Sequence, residues 1–363
     1  MADGTPYRLI QVGTGGRGRT WCRRILPPFV SSGRIEVVAA VDVNPDSWIH
    51  AQEAIDVPAE RCYTDLKQAL DEHEADICTV VVPPAAHEQI VDAALAHDMH
   101  ILSEKPISDT LEGSLRIAGK VRAAGRKMGV TMSHRFRADV ATLREAVTSG
   151  NYGPIDYIIC RFTCNMRYHG DWGAAFRYEI QHPLLIEGAV HHLDLLADMG
   201  GAPCASLYAR TWNPAWSEFA GDSQALVQMT LENGVQVFYE GAKTNATGLN
   251  GWTEEYIRCE CERATLELDH QRIVALRDPP RQQTGPKEER QQTVIPLLER
   301  QYWSDEWLME QFLIWLDGGP PMPTNVEANL QSMALIMAAA ESSRTQQPVA
   351  VQEFLQHARV ALD

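Results

Sequence analysis

Apolar residues fall into two kinds of run along the chain. In its first third they form short, unbroken stretches: Tyr7–Val12 (YRLIQV), Ile35–Val41 (IEVVAAV), Ile77–Val82 (ICTVVV), a brief HIL at 100–102 and KMGVTMS at 127–133. Runs with no polar alternate face suit strands buried on both sides. Helical segments separate them, among them HEQIVDAALAH at 87–97. Buried strands alternating with helices predict a parallel, doubly wound sheet. The helix opening after GTGGRG must stop before Pro27 and Pro28.

Later in the chain the segments IDYIICRFTC, SLYARTW, QALVQMTL, GVQVFYEG and EEYIRCE are strand-like, with turn signals such as Glu232-Asn233-Gly234 between them. The polar stretch 278–293 (DPPRQQTGPKEERQQT) reads as a surface loop. Thr324 and Glu327 have the spacing of a capping box at the start of a late helix. No internal repeat is visible.

The first turn carries candidate chemistry. Gly13, Gly15 and Gly18 fit G-x-G-x-x-G between a strand and a helix. The first glycine permits a tight turn, the second a close approach to a pyrophosphate, the third close packing of helix on strand. The helix N-terminus then faces the phosphates. Asp42 ends the next strand, where a carboxylate accepts hydrogen bonds from ribose hydroxyls. A carboxylate there repels a 2′-phosphate, so NAD is expected over NADP, a preference that Arg17 and Arg19 soften. GTGGRGRT is also nearly an NTPase phosphate loop, but position 19 is Arg where that loop needs Lys.

Composition narrows the field. The 363 residues suffice for two domains, and 45% hydrophobic residues supply a sizeable core. A net charge of −16 argues against nucleic acid or an anionic membrane as partner, though not against a local positive pocket. The start, MADGTPYRLIQVG, lacks signal-peptide features, and no apolar run approaches the roughly 18 residues of a membrane span. Eight scattered cysteines lack zinc-knuckle spacing, as Cys160 with Cys164 and Cys259 with Cys261 show. Free thiols and a cytoplasmic protein are expected.

A second candidate lies at 184–196, LLIEGAVHHLDLL, where four ionisable groups sit in an apolar stretch. At 100° per residue Glu187, His191 and Asp194 share one narrow helix face, and His192 points elsewhere with Leu185, Leu196 and Met199 as a packed histidine. Acid–base work is expected of that face, and no metal, since neither HExxH nor a second ligand pair accompanies it.

Glu104-Lys105-Pro106 after a Rossmann strand, followed by a Glu-x-x-x-His-x-x-Asp helix, resembles the Gfo/Idh/MocA oxidoreductases. The glycine fingerprint, Asp42, PP-x-x-H at 83–87, HRF at 134–136 and the terminal NVEANLQSMALIMAAAESSRTQQPVAV occur in that family's order. The resemblance implies a Rossmann domain over 1–133. Over 134–363 it implies an α/β domain with a large, mostly antiparallel sheet, one face covering the nicotinamide and the other often making subunit contacts. A late helix at about 325–343 would return to the Rossmann side, and a homodimer or homotetramer is implied. Cofactor contacts would come from Gly13, Gly15, Gly16, Arg17, Gly18, Asp42, Pro83, His87, Glu104 and Lys105.

The implied reaction is hydride transfer at a secondary alcohol. It needs a base, stabilisation of a developing alkoxide and a nicotinamide. His191 is the candidate base. Lys105 would stabilise the reacting oxygen or share in proton transfer, and Glu187 or Asp194 would orient the imidazole. The family more often carries Asp where this chain has Glu187. Pro106 would follow a cis bond. His134, Arg135, Arg167, Trp172, Arg177, Asp194, His191 and Lys105 are the substrate candidates. The loop NMRYHGDWGAAFRYE at 165–179 suits a sugar, Arg167 and Arg177 equally a carboxylate or sulfonate, and a solvated loop is the plain alternative. Trp212, Trp216 and Trp252 read as core or interface. The leading expectation is a dehydrogenase of a sugar, polyol or sugar-derived alcohol. Transient-redox glycoside cleavage is the alternative, and a non-catalytic dinucleotide-binding regulator the third reading.

Overall fold

A computed structural model describes residues 4–279 and 289–362. The chain forms two compact units. One holds the residues up to Ser133, Tyr302–Met333 and the end from Ala358; the other holds His134–Gln301 and Ala334–His357.

The first unit is built on six strands: β1 (Tyr7–Val12), β2 (Ile35–Val41), β3 (Cys62–Tyr63), β4 (Ile77–Val80), β5 (His100–Ser103) and β6 (Met128–Val130). Their order is β3-β2-β1-β4-β5-β6, and every neighbouring pair is parallel. The order reverses between β1 and β4, so a crevice opens beyond the carboxyl ends of those two strands. The glycine turn lies there. A separate cleft of about 710 Å³, lined by Tyr7, Asp76, His100 and Asp317, opens at the opposite, amino ends of the strands. The crevice, not this cleft, is where such sheets bind ligands.

The helix after the glycine turn runs through an α-turn at Gly16–Thr20 and a π-turn at Trp21–Ile25, then ends. Pro27 and Pro28 open a new helical turn, Pro27–Ser31, where a missing N–H costs nothing. The expected capping box does not form. Asn325 Oδ1 accepts from the Ala328 N–H (3.2 Å), and the Thr324 hydroxyl instead donates to the Val130 carbonyl (2.6 Å). The helix itself spans Val326–Thr345.

The second unit holds nine strands: β7 (Ile155–Thr163), β8 (Cys204–Trp212), β9 (Gln224–Leu231), β10 (Gln236–Ala242), β11 (Tyr256–Cys261), β12 (Ala264–Asp269), β13 (Arg272–Arg277), β14 (Gln291–Ile295) and β15 (Val349–Ala350). Their order is β14-β13-β12-β11-β7-β10-β9-β8-β15, antiparallel throughout except for β7 beside β10. Alternation sets the faces. Val237 and Tyr239 of β10 are buried, while Phe238 and Glu240 point outward. Helices Ala138–Thr148 and Val190–Gly200 pack against the sheet and bury Leu143, Leu193 and Leu196. Tyr208, Leu226 and Phe238 lie exposed on strands of the same sheet.

The expected loop at 278–293 is shorter than read. Gln291–Thr293 belong to β14, paired with β13, and residues 280–288 lie outside the described part of the chain. Among the described residues no helix is long and apolar enough to cross a membrane.

Candidate active site

In the first unit three glycines make a close-packed cradle, and at two of them a side chain would meet backbone. Gly13 has φ +88°, and a Cβ there would overlap the Val81 carbonyl. A Cβ at Gly18 would overlap the Gly13 carbonyl, and one at Gly15 would come within 2.8 Å of Ser47 Oγ. Gly16, at φ +44°, lies in open space. The cradle therefore presses the helix start onto the strand end, the arrangement that brings backbone N–H groups to a pyrophosphate. Asp42 stands over it. Its Oδ2 accepts from the Thr14 (2.7 Å) and Gly15 (2.9 Å) N–H groups, and its Oδ1 from the Asn44 N–H (2.9 Å). Glycine cradle, backbone donors and carboxylate together fit a dinucleotide.

Two residues expected at the cofactor pair with each other. Arg17 Nε donates to Glu104 Oε1 (2.7 Å), and its Nη2 lies 2.8 Å from Asp305 Oδ1. The Trp21 indole N–H donates to the same Glu104 oxygen (2.8 Å). Burial alone would raise the Glu104 pKa, but the Arg17 charge and these hydrogen bonds prevail and hold it below the usual range. Glu104 thereby anchors the loop that carries half-buried Lys105 and the cis Lys105–Pro106 bond. His87 is held as a clamp. Its fully buried ring lies between the Val82 carbonyl (2.9 Å from Nε2) and the Ile107 carbonyl (3.2 Å from Nδ1). Burial lowers its pKa. Pro83, four residues before it, is exposed.

In the second unit the segment around Glu187 and His191 is not one regular helix. Leu185–Ala189 form a π-turn and the α-helix begins at Val190. Glu187, His191 and Asp194 each meet a residue from another segment. Glu187 pairs with Arg177 (3.1 Å). The His191 ring stacks on His134, with centroids 4.1 Å apart. Asp194 receives the Arg135 fork at 2.5 and 2.6 Å, and Arg135 also reaches Asp198 at 3.2 Å. Arg135 and Asp194, expected to touch substrate, thus tie the HRF segment to the helix.

His192 is packed as expected, at 0% exposure, but within a polar network. The Tyr239 hydroxyl lies 3.1 Å from its Nδ1 and Glu255 Oε1 lies 3.4 Å from its Nε2. Burial lowers its pKa to about 4 against the pull of Glu255, so the ring is neutral. A neutral ring donates from Nε2 to Glu255 and accepts the tyrosine proton at Nδ1. Burial acts to raise the Glu255 pKa, yet the hydrogen bonds from His134 and His192 and the Arg137 charge hold it far below the usual range. Arg137 also bonds Asp139.

Aromatic rings flank this network. Trp252 lies 4.5 Å from Phe162, 5.2 Å from His134 and 6.2 Å from Trp172, centroid to centroid. Trp172 carries two cations, the buried Lys243 Nζ at 2.9 Å from its centroid and Arg177 Cζ at 4.7 Å. Arg167 is set apart, bonded to the Thr244 carbonyl (3.1 Å) near Trp216. Trp212 and Trp216 are exposed, which places them outside the core. The sequence reading did not find Glu255, Tyr239 or Lys243. Each looks like an ordinary strand or loop residue, and only the sheet order brings them to His192 and Trp172.

A Rossmann unit with a dinucleotide cradle, followed by a mixed-sheet unit with a buried acid–base cluster, defines a nicotinamide-dependent oxidoreductase. Residues 8–132 match the Gfo/Idh/MocA oxidoreductase family's NAD-binding Rossmann fold, and 144–351 its C-terminal alpha/beta domain. The chain belongs to that family. It is 50% identical over 355 residues to the uncharacterized protein y4oX of Sinorhizobium fredii, covering 98% of each chain. It is 26% identical over 237 residues to an inositol 2-dehydrogenase of Leifsonia xyli subsp. xyli, covering 64% of this chain and 66% of that enzyme. The crystal structure of an oxidoreductase from Agrobacterium radiobacter with NAD+, L-tartaric acid and magnesium shares the fold, with TM-score 0.80 at 17% identity over 96% of this chain and 99% of that one.

Proposed function

We propose that the protein oxidises a secondary alcohol of a sugar, polyol or sugar-derived compound with NAD. The observation that carries this reading is the stacked His134–His191 pair beside Trp252. An imidazole suits abstraction of a hydroxyl proton, and aromatic faces suit the C–H face of a polyol. The likeness to an inositol 2-dehydrogenase supports the same substrate class. That relative is a dehydrogenase, which supports net oxidation over transient oxidation and cleavage.

On this reading residues 1–133 bind the dinucleotide and 134–363 bind substrate. Asp42 accepts from ribose hydroxyls, and the turn at Gly13–Gly18 admits the pyrophosphate. The chemistry NAD supplies when bound is acceptance of hydride. His191 takes the hydroxyl proton, and Lys105 stabilises negative charge on the reacting oxygen. Arg177 holds Glu187, and with Trp172 it presents a cationic, aromatic surface to the substrate. The protein acts as a cytoplasmic homodimer or homotetramer.

The test is to incubate the purified protein with NAD and a panel of cyclitols, sugars, polyols and glycosides while following nicotinamide absorbance. Steady NADH formation with a polyol or sugar is the expected result. No NADH with any of them, alongside cleavage of a glycoside, overturns the net-oxidation reading.

A further inference from the structure

Among the described residues, His134, His192 and Glu255 bring one potential ligand atom each to within 4.8 Å of one another. Glu255 Oε1 is the common member, 3.4 Å from His192 Nε2 and 3.5 Å from His134 Nδ1. An ion equidistant from three atoms so spaced sits about 2.4 Å from each, against about 2.0–2.2 Å for zinc bonded to imidazole or carboxylate. A closure of a few tenths of an ångström, roughly a side-chain libration, makes the two equal.

The outer atoms of two ligands are already held. Arg137 bonds the other Glu255 oxygen and is itself held by Asp139. The Tyr239 hydroxyl meets His192 Nδ1. Partners of this kind fix a ligand's rotamer and tautomer in metal sites. Phe162 and Trp252 lie against His192, and Glu255 is 2% exposed, so water competes poorly for the ligands. The His134 side chain keeps 13% exposure and leaves a path inward.

We propose that His134 Nδ1, His192 Nε2 and Glu255 Oε1 bind one divalent transition-metal ion, with a further position left to water. Two imidazoles and a carboxylate are a donor set for borderline-soft cations such as zinc or cobalt. Binding moves the His192 proton to Nδ1, which then donates to the Tyr239 oxygen, and a proton on His134 Nδ1 moves to its Nε2 or to solvent. The site shares His134 with the stacked pair above, but its test reads metal binding rather than turnover, so the two readings fail separately.

The experiment strips the full-length protein with chelator and titrates it with Co2+, reading visible d–d absorption and equilibrium dialysis. The expected result is one ion per chain, bound at least tenfold more weakly by His134→Ala and by Glu255→Gln, and displaced by Zn2+. Glu255→Gln also breaks the Arg137 pair, so circular dichroism must show that each variant is folded. If Glu255→Gln unfolds, the partly exposed His134 decides through His134→Ala or His134→Asn. Absence of d–d bands in the wild type, or unchanged Co2+ affinity in a folded His134 variant, overturns the site and leaves a hydrogen-bonded network alone.

Discussion

The imidazoles of His134 and His191 lie face to face, with centroids 4.1 Å apart and planes 18° from parallel. Trp252 meets both rings edge-on. His191 is thereby confined to one orientation, a condition for general-base work. Replacing His191 by Ala should lower kcat by about 10²–10⁴. Lys105→Ala should also lower kcat severely, and both variants should bind NAD much as the wild type does. His134→Phe preserves a stacking ring and should retain more kcat than His134→Ala. Steady-state kinetics and calorimetric NAD binding check these statements. Equal kcat in the two His134 variants would show that stacking is not what positions His191.

The glycine cradle makes a sharper prediction. A methyl group at Gly18 would meet the Gly13 carbonyl, and backbone cannot swing aside as a flexible side chain can. Gly18→Ala should cost roughly 3 kcal/mol or more by overpacking and abolish NAD binding. Gly16 faces open space at φ +44°, so Gly16→Ala should cost only about 1 kcal/mol of backbone strain. Thermal unfolding and NAD titration of both variants test the contrast. Wild-type NAD affinity in Gly18→Ala would remove the cradle from the binding site.

The parts of the fold that sequence showed were those with strong local signals. β1 and β2 were legible to the residue, because strands buried on both faces carry unbroken apolar runs. The β12–β13 hairpin was not, since its turn uses His270 and Gln271 at φ +47° and +63° in place of glycine or asparagine. The π-turn at Leu185–Ala189 carries no residue signal either. His134 and His191 were both legible as candidates. Glu255 was not, because it enters the cluster only through the placement of β11 beside β7.

Arg17 gives a prediction about stability rather than binding. Its guanidinium stands between two nearly buried carboxylates, Glu104 and Asp305. Burial opposes its charge, but those two carboxylates raise its pKa further above the usual arginine value. Removing it leaves Glu104 with the Trp21 N–H and Asp305 with the more distant Arg24 (3.5 Å), two buried carboxylates short of their main cation, a loss of about 3–5 kcal/mol. Arg17→Met should therefore lower the unfolding free energy more than Glu104→Gln, which leaves an amide oxygen to accept from Trp21. Chemical denaturation of the two variants tests the order. A nearly neutral Arg17→Met would mean that solvent reaches the pair and screens it.

Acid should destabilise the protein in a window that His192 helps to set. Burial lowers its pKa from the ordinary 6.5 to about 4 in the folded chain. The unfolded chain therefore binds more protons between those values, and stability rises with pH across them. Equivalently, stability is lost as pH falls from about 6.5 towards 4, at up to about 1.4 kcal/mol per pH unit for each such proton. His87, His100 and His182 are also lowered by burial and act in the same direction. Glu255 is held low, so the stability it contributes is present above the ordinary carboxylate value of 4.5 and fades only below it. Between pH 6.5 and 5 the histidines should thus dominate. Urea unfolding in chelator-containing buffer should show the wild type losing stability over that interval, and His192→Gln losing it with a slope shallower by up to one proton. Parallel slopes for the two proteins would show that His192 is not held neutral by the fold.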